Sequence, residues 1–437
     1  MDASVSNTTS RIDGSTPRRD QFIPVRKSEI IAALVEERAL SAQAEDVRRF
    51  CRLLGSIYHF ENFAGLEQLR DDYFYFNPEI GSQSQLGLGA LAEKRRDLTL
   101  MLNAVLKKAN YEEISHQEVE EAHNQRHLLR VQVRASLDDY HLVQFFERGR
   151  HTEKVDVRKW FGLRRNMIDA TVFDNVVLVV AVKSLEEMTA KRQRKLVKVR
   201  DFKPGTILIK YFRNISASDL YMLLPQVRVV MSIADRLTIG LPAVAGAVPL
   251  LLNLLPALTV LSLVVGYFLG LVPVVDNDTM VKSFGALTGI AAVVGFIFTQ
   301  RMKYQRRSLQ YQKEISDHFY FRNVSNNSGI FDSLVGSAED QEFKEAALAY
   351  FFLLMAGAPL SQKELDDRIE DWLRVKYKLN LDFEVEDAVA KLERLELLQC
   401  SGHGLTVPPL KQALVKLDTI WDNFFPYANQ AAETSTQ

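Results

Sequence analysis

The sequence predicts an α+β membrane protein in which two soluble domains flank a transmembrane helical hairpin. Two stretches contain no Asp, Glu, Lys, Arg or His, namely 237–275 and 283–300. Helical and strand-like patterns mix before position 230, whereas helical patterns dominate after position 308. We therefore expect an N-terminal α+β domain over 21–230, a hairpin over 237–300 and a C-terminal helical domain over 308–425.

Composition excludes several classes of protein. Of the 437 residues, 47% are hydrophobic and 25% are charged, so most of the chain can fold around ordinary cores. The 54 basic and 55 acidic residues nearly balance, which removes any overall attraction to nucleic acid. Two cysteines are too few for a disulfide framework. Residues 1–20 and 426–437 are polar and poor in large apolar side chains, and we expect them to be disordered tails.

The N-terminal domain is expected to begin with helices and to end with strands. Apolar residues recur at three- and four-residue spacing over 28–63, and helical patterns continue over 91–108 and 112–129. Alternation at 129–133, and β-branched runs at 176–182 and 206–212, predict strands. A basic link joins the last two strands, and it is expected either to contact anionic lipid headgroups or to be a solvated loop. Its first cations are Lys191, Arg192, Arg194 and Lys195.

The two uncharged stretches are the candidate membrane spans. The 18 residues of 283–300 would reach about 27 Å as a helix, close to the ~30 Å hydrocarbon thickness of a bilayer. The 39 residues of 237–275 are too long for one simple span, and they contain four prolines. One interpretation places a single span at 250–272 after a bent entry, and another places two short spans that fold at 253–256.

The charges beside the spans predict their orientation. Arg228 and Arg236 precede the first span and several cations follow position 300, whereas the connector carries Asp276 and Asp278. Because Lys and Arg remain on the cytoplasmic side, this pattern predicts an even number of crossings with both termini inside. The spans also carry two G-x-x-x-G spacings, which could pack the hairpin internally, join two copies, or reflect how common glycine is in membrane helices. These glycines are Gly266, Gly270, Gly285 and Gly289.

The C-terminal domain has the pattern of a winged helix. Helices are expected over 341–356, 361–376 and 383–398, the second opened by a capping box of Ser361 and Glu364. A small β hairpin is expected after Ser401. The 382–396 segment has six acidic and two basic residues, which would repel phosphates, so we expect a protein partner for this domain and no nucleic acid.

Few residue constellations indicate catalysis. Glu120, His123 and His127 share one face of an expected helix, with His116 and Glu113 nearby, and could ligate a metal ion or form a solvated face. A G-x-G-x-x-A pattern begins at Gly87 without the preceding strand that a dinucleotide fold needs. His59 and Glu61 have strand-like spacing and no visible partner. No P-loop, H-E-x-x-H or G-x-S-x-G motif is present in the sequence, and no cofactor is expected.

Several short motifs, in order, resemble the transmembrane protein 143 family, a group of unknown function. They are Phe22–Arg26, Lys210–Ile215, Asp219–Pro225, Asp235–Leu237, Tyr320–Asn323, Asn326–Gly329 and Asp382–Val385. The resemblance covers about residues 20–425. It implies a membrane protein with a hairpin anchor, found in bacteria and in mitochondria-linked eukaryotic forms. It implies no established reaction and supplies no catalytic residues.

These observations favour a non-catalytic, membrane-anchored scaffold or interaction protein, with both soluble domains on the inner side of the membrane. Its expected partners are the lipid bilayer, a protein bound by the C-terminal domain, and a second copy of the chain. The expected location is a bacterial cytoplasmic membrane, or alternatively the mitochondrial inner membrane. An oligomeric pore or transporter component, and a metal-dependent membrane enzyme that uses the Glu120 face, are the competing hypotheses.

Overall fold

The structure is a computed structural model. It describes residues 19–80, 87–124, 132–134, 137–159, 164–190, 203–225, 228–230, 233–271, 274, 276–401 and 404–424.

Ten α-helices are described in these ranges. Four precede the expected membrane segment: α1 (Lys27–Glu36), α2 (Ala44–Phe74), α3 (Leu88–Lys108) and α4 (His116–Asn124). Two long helices form that segment: α5 (Ile233–Phe268) and α6 (Asn277–Tyr320). Four follow it: α7 (Gly329–Ala356), α8 (Gln362–Tyr377), α9 (Val385–Arg394) and α10 (Leu410–Asp422).

The strands form one large antiparallel sheet and two small ones. The large sheet has the order β1-β3-β4-β5-β7, with β1 (Glu112–Ile114), β3 (Tyr140–Lys159), β4 (Arg164–Val182), β5 (Ile207–Ser216) and β7 (Asn323–Asn326). Strand β2 (Gln132–Arg134) pairs with β6 (Arg228–Val230), and β8 (Gln399–Ser401) pairs with β9 (Gly404–Thr406). A 3₁₀ helix, Ala217–Leu223, follows β5 directly.

Both faces of the large sheet are covered. In β5, Ile207, Ile209 and Tyr211 face a core that contains parts of α2, α3 and α7. Leu208 and Phe212 point to the opposite face, where they join the 3₁₀ helix and the end of α6 in a second core. This alternation follows from the two-residue period of a strand, and it explains why the 206–212 run is apolar at nearly every position.

The segments before and after the hairpin share their cores. In the first half of α7, Ile330, Phe331 and Leu334 pack in the core of the large sheet. In its second half, a third core joins α1 and α2 to α8, α9 and α10, and the Phe50 and Tyr350 rings stack with centroids 4.3 Å apart. The predicted segments 21–230 and 308–425 therefore pack on each other in the structure.

Several element predictions are confirmed and others are corrected. The Ser361 capping box is present, with the Glu364 N–H donating to Ser361 Oγ at 3.2 Å. The expected helix over 112–129 is replaced by β1 and α4, because Glu112–Ile114 pairs with β3. His59 and Glu61 lie on the continuous helix α2 rather than on a strand, and both have partners: His59 Nδ1 lies 3.0 Å from Glu339, and Arg394 donates to Glu61 at 2.6 Å.

Helix α5 is continuous over 36 residues, including Pro242, Pro249 and Pro256. A fold-back at 253–256 is therefore not observed, which favours the single-helix interpretation of this stretch. Residue Gly270 ends the helix in the left-handed region at φ 73°, while the Leu271 N–H donates to the Gly266 carbonyl at 2.8 Å.

Helix α5 packs beside α6, which has 44 residues. Val264, Ser283 and Ala286 are buried in this pair, and a Cβ placed on Gly246 would lie 3.1 Å from the Phe296 ring. In contrast, a Cβ on Gly270, Gly285 or Gly289 would meet no described atom within 4 Å. These three glycines therefore do not form the contact inside the hairpin, and a role in joining two copies stays a prediction.

By length and composition, the Asn277–Gln310 part of α6 is able to cross a membrane, and Pro256–Phe268 of α5 is a shorter apolar helical segment. Within the described residues, only the α6 segment is long and apolar enough to be a candidate span.

Candidate functional site

A cavity of about 710 Å³ lies where the large sheet meets the base of the helical hairpin. Strand β5, the 3₁₀ helix, the last turn of α6 and the start of β7 form its walls. Its wall exposes slightly more polar than apolar surface, and its apolar side chains are Phe212, Met222, Leu223, Leu224 and Phe319. The polar side chains are Lys210, Ser316 and Asn323. A volume of this size lies within the range of about 300–1,000 Å³ that is typical of small-molecule sites.

Lys210 is the cation of this cavity. It lies between Leu208 and Phe212 on the apolar face of β5 and is only partly exposed. Its ammonium group makes no hydrogen bond and no ion pair with the described residues around it. Burial lowers the pKa of Lys210 below its ordinary value, because the charged form loses water without gaining a counter-ion.

Two aromatic residues form an exposed rim at the cavity. Tyr320 is 74% exposed and Phe321 is 88% exposed, and their rings meet edge to face with centroids 5.1 Å apart. Both residues line the cavity, which opens to the surface beside them. Exposed aromatic residues beside a concave site are characteristic of surfaces that contact a ligand or a partner.

A repeated tetrapeptide builds this part of the fold. Tyr-Phe-Arg-Asn occurs at 211–214 in β5 and again at 320–323 before β7. The two copies lie side by side, with the Arg213 N–H donating to the Arg322 carbonyl at 2.8 Å. The Asp219–Pro225 motif supplies the third wall of the cavity. Three of the motifs that suggested a family resemblance thus meet at one place.

A buried acid and a histidine lie behind the cavity. Asp219 is fully buried, and its Oδ2 atom is 3.7 Å from Nε2 of His318 on α6. Ser218 donates a long hydrogen bond of 3.4 Å to Asp219. A hydrolytic triad needs the imidazole between the hydroxyl and the carboxylate, whereas here the carboxylate lies between the other two groups. The cluster therefore joins α6 to the 3₁₀ helix without forming an activated nucleophile.

A smaller cavity of about 130 Å³ lies near α4. Arg150 extends into it and is paired with Glu147 at 2.8 Å and with Glu118 at 3.5 Å. Burial raises the pKa of Glu147 to about 7, although Arg150 opposes this shift. Because these ion pairs neutralise the Arg150 charge, the cavity has little charge left with which to bind a ligand.

The predicted metal residues are only partly covered by the structure. Glu120 is exposed on α4, which also contains the backbone of His123, whereas His127 lies outside the described residues. Glu113 lies in β1 rather than on the helix and accepts a hydrogen bond from Gln144. Within the described part of the chain, no group of three His, Cys, Asp or Glu side chains is placed to hold a metal ion.

The other predicted site residues were placed as follows. The basic cluster Lys191, Arg192, Arg194 and Lys195 lies outside the described residues. Gly87 precedes α3, and Gly89 lies within that helix with open space beside it, so the G-x-G-x-x-A pattern is a helix start. Sequence reasoning missed Lys210 as a site residue. The available signal was one lysine inside the otherwise apolar run Ile207–Phe212.

Comparison with known families gives one match. Residues 173–329 match a family described as "Protein of unknown function (DUF3754)". The match runs from β4 through β5, the 3₁₀ helix and the hairpin to the start of α7, so it includes every residue that lines the Lys210 cavity. The narrower resemblance to the transmembrane protein 143 family stays a prediction. No solved structure matches this chain.

Proposed function

We propose that this chain is a non-catalytic, membrane-anchored protein in which α5 and α6 cross a bilayer as a hairpin and hold one soluble unit against one membrane face. The pairing of β5 with β7 carries the proposal. These strands lie on opposite sides of the hairpin in sequence, yet they are hydrogen-bonded neighbours. Because two strands cannot pair across a bilayer, the hairpin must start and end on the same side.

The exposure of the hairpin supports lipid as its environment. Only 11% of the most apolar window of α6 is buried within the chain. Phe284, Val294 and Phe298 are 69%, 61% and 63% exposed. A core helix of a soluble protein would bury such side chains against protein, and water would make their exposure unfavourable.

The cytoplasmic part of α6 forms a stalk between the membrane and the soluble unit. From Arg301 to Tyr320 this helix is about 29 Å long at 1.5 Å per residue. At the same end of the large sheet, β3 and β4 continue as a two-stranded ribbon for eight residue pairs beyond β5, or about 26 Å. The ribbon and the stalk therefore have similar lengths.

The last pairs of this ribbon are basic, which supports an orientation toward anionic lipid headgroups. The cations are Arg158, Lys159, Arg164 and Arg165. Each cation near an anionic surface contributes roughly 1 kcal/mol. With the cations that follow position 300, they favour the inner face of a bacterial cytoplasmic membrane, or alternatively the mitochondrial inner membrane.

The C-terminal helices support an interaction role. Helices α7, α8 and α9 are followed by the β8–β9 hairpin, and Leu360 between α7 and α8 forms a bridge to Leu405 of β9. This order of elements supports a winged-helix-like domain, and the acidic charge of the 382–396 segment disfavours nucleic acid as its partner. We infer that it binds another protein.

An oligomeric pore or transporter component is the second candidate. The open space beside Gly285, Gly289 and Gly295 favours it, because small residues on a lipid-facing helix surface allow a second copy to approach closely. Two helices cannot line a conduit alone, so this function requires an oligomer. Crosslinking in native membranes that yields only monomers would eliminate it.

Thiol labelling tests the membrane topology. In a background without Cys51 and Cys400, a cysteine at Asn277 should react with an impermeant thiol reagent added to intact cells, whereas a cysteine at Ser308 should not. The physical reason is that the α5–α6 connector lies on the outer face and the stalk on the inner face. After the membrane is permeabilised, both positions should react, which controls for accessibility. Labelling of Ser308 but not Asn277 in intact cells would reverse the topology.

A further inference from the structure

We propose that the cavity at Lys210 binds an anionic amphiphile, a molecule with one carboxylate or phosphate head and an acyl chain. The head would pair with the Lys210 ammonium, and the chain would lie against Phe212, Met222, Leu223 and Phe319. The proposal goes beyond membrane anchoring, because this cavity belongs to the soluble unit and can be tested whichever way the hairpin is oriented.

The first argument is the unsatisfied charge. A lysine between apolar neighbours on a covered sheet face loses hydration, and a protein normally compensates that loss with a carboxylate. Two other buried lysines have such partners, since Lys391 pairs with Glu342 and Lys344 pairs with Asp340. The buried Arg148 instead donates to the Ala109 carbonyl and lies over the Phe22 ring. Lys210 has no carboxylate partner among the described residues. The missing counter-charge can be supplied by a ligand.

The second argument is the chemistry of the walls. The wall combines one cation and two uncharged polar side chains, Ser316 and Asn323, with five apolar side chains, which matches a ligand with one charged end and an apolar body. A nucleotide would need several phosphate contacts, as a glycine-rich loop provides, and Lys210 is the cavity's only cationic side chain among the described lining residues. A free inorganic anion would gain nothing from the apolar walls.

The third argument is the rim. Tyr320 and Phe321 are largely exposed although both are aromatic. Contact with water disfavours the exposure of aromatic rings. An acyl chain that leaves the cavity would contact these rings and remove their apolar surface from water. The rim lies at the C-terminal end of α6, and the stalk separates it from the proposed membrane span.

Binding can be measured on the full-length chain in phosphatidylcholine nanodiscs with 11-(dansylamino)undecanoate, a fluorescent carboxylate amphiphile. Empty nanodiscs supply the background signal. We expect saturable binding that laurate and dodecyl phosphate displace and that neutral dodecanol displaces at least tenfold less well. If dodecanol displaced the probe as well as laurate does, the cavity would bind apolar chains without selecting a charged head. If inorganic phosphate displaced the probe, the site would bind free anions and not amphiphiles. Either result would overturn the proposal.

Two variants locate the site. Lys210→Met should weaken binding of the probe at least tenfold, whereas Lys313→Met, which removes an exposed cation on the same side of α6, should leave it unchanged. Lys210→Met should also unfold at a temperature no lower than the parent protein, because it replaces an uncompensated cation with an apolar side chain. Equal affinity in the Lys210→Met and parent proteins would contradict the assignment.

A rim variant keeps the test decisive if Lys210→Met unfolds. Phe321 is 88% exposed, so Phe321→Ala should not disturb folding, yet it should weaken the probe severalfold. Unchanged affinity in Phe321→Ala would argue against the rim as part of the site. Failure of these binding experiments would leave the thiol-labelling result intact, so the two proposals can fail separately.

Discussion

Replacement of Lys391 by methionine is expected to lower the free energy of unfolding of the soluble unit by about 3–5 kcal/mol. Lys391 of α9 is buried, and its Nζ atom lies 3.2 Å from Glu342, 2.6 Å from Asp387 and in contact with Glu345. Burial alone would lower the pKa of Lys391, but these three carboxylates outweigh it and raise the pKa. Without the lysine, Glu345 would be a buried charge with no cation among the described residues, and Glu342 would keep only Lys108, at 3.7 Å. Urea unfolding of the full-length protein in detergent, followed by circular dichroism, measures the loss.

Matched controls separate this network from an ordinary ion pair. Arg49→Met removes the partner of Glu45, 2.5 Å away on the surface of α2, and should cost less than about 1 kcal/mol because exposed pairs are screened by water. A second change, Glu345→Leu, should recover part of the stability lost in Lys391→Met, because it removes the buried carboxylate that has lost its cation. If Lys391→Met cost no more than Arg49→Met, the network would not stabilise the fold.

The network also bears on how the chain is organised. Asn110, which follows α3, donates to Glu345 at 3.0 Å and to the Gln21 carbonyl at 3.0 Å. One group of polar contacts thus connects the segment before the hairpin to α7 and α9 after it. Loss of Lys391 should therefore weaken the association of the two segments and not only the C-terminal helices.

Replacement of Val294 by arginine is expected to block membrane integration of most of the protein. Val294 is 61% exposed near the middle of the α6 span, and a central arginine costs about 2.5–3.5 kcal/mol on insertion scales. The measurement is the fraction of protein that remains in the membrane pellet after an alkaline carbonate wash. We expect a large shift to the supernatant or a marked loss of protein.

The control for this change is Leu309→Arg. Leu309 is 62% exposed and lies on the same helix, nine positions beyond the uncharged stretch 283–300 and in the part of α6 that we propose as the stalk. The same substitution should leave integration unchanged there, because the side chain meets water. If Val294→Arg integrated as well as Leu309→Arg, that face of α6 would not contact lipid.

Local sequence patterns predicted the local elements well. The Ser361 capping box, the 176–182 strand and the 206–212 strand were all recognised from signals within a few residues. The strands that were not predicted form only by pairing with distant parts of the chain. Asn323–Asn326 has turn-like composition but forms β7, because its backbone pairs with β5 more than one hundred positions earlier. Glu112–Ile114 likewise forms a strand only because β3 is beside it.

The candidate site was harder to predict for the same reason. Its residues come from 210–224 and 316–323, which the hairpin separates in sequence. Lys210 alone looks like a surface residue of a strand, and only the packing of Phe212 and Phe319 shows that its face of the sheet is covered. The family resemblance identified the motifs, but only the fold shows that they meet at one cavity.

Zero-length carbodiimide crosslinking in native membranes, followed by alkaline carbonate washing and mass spectrometry, tests the central claim most directly. Lys376 Nζ on α8 lies 3.2 Å from Glu36 on α1, and both side chains reach water. We predict a Glu36–Lys376 amide link in the washed membrane pellet, lost in Lys376→Arg, together with the Asp278–Lys282 link as a control between two exposed side chains of one helix. Recovery of the Asp278–Lys282 link without the Glu36–Lys376 link, or release of the protein into the wash, would contradict a single soluble unit held by a membrane hairpin.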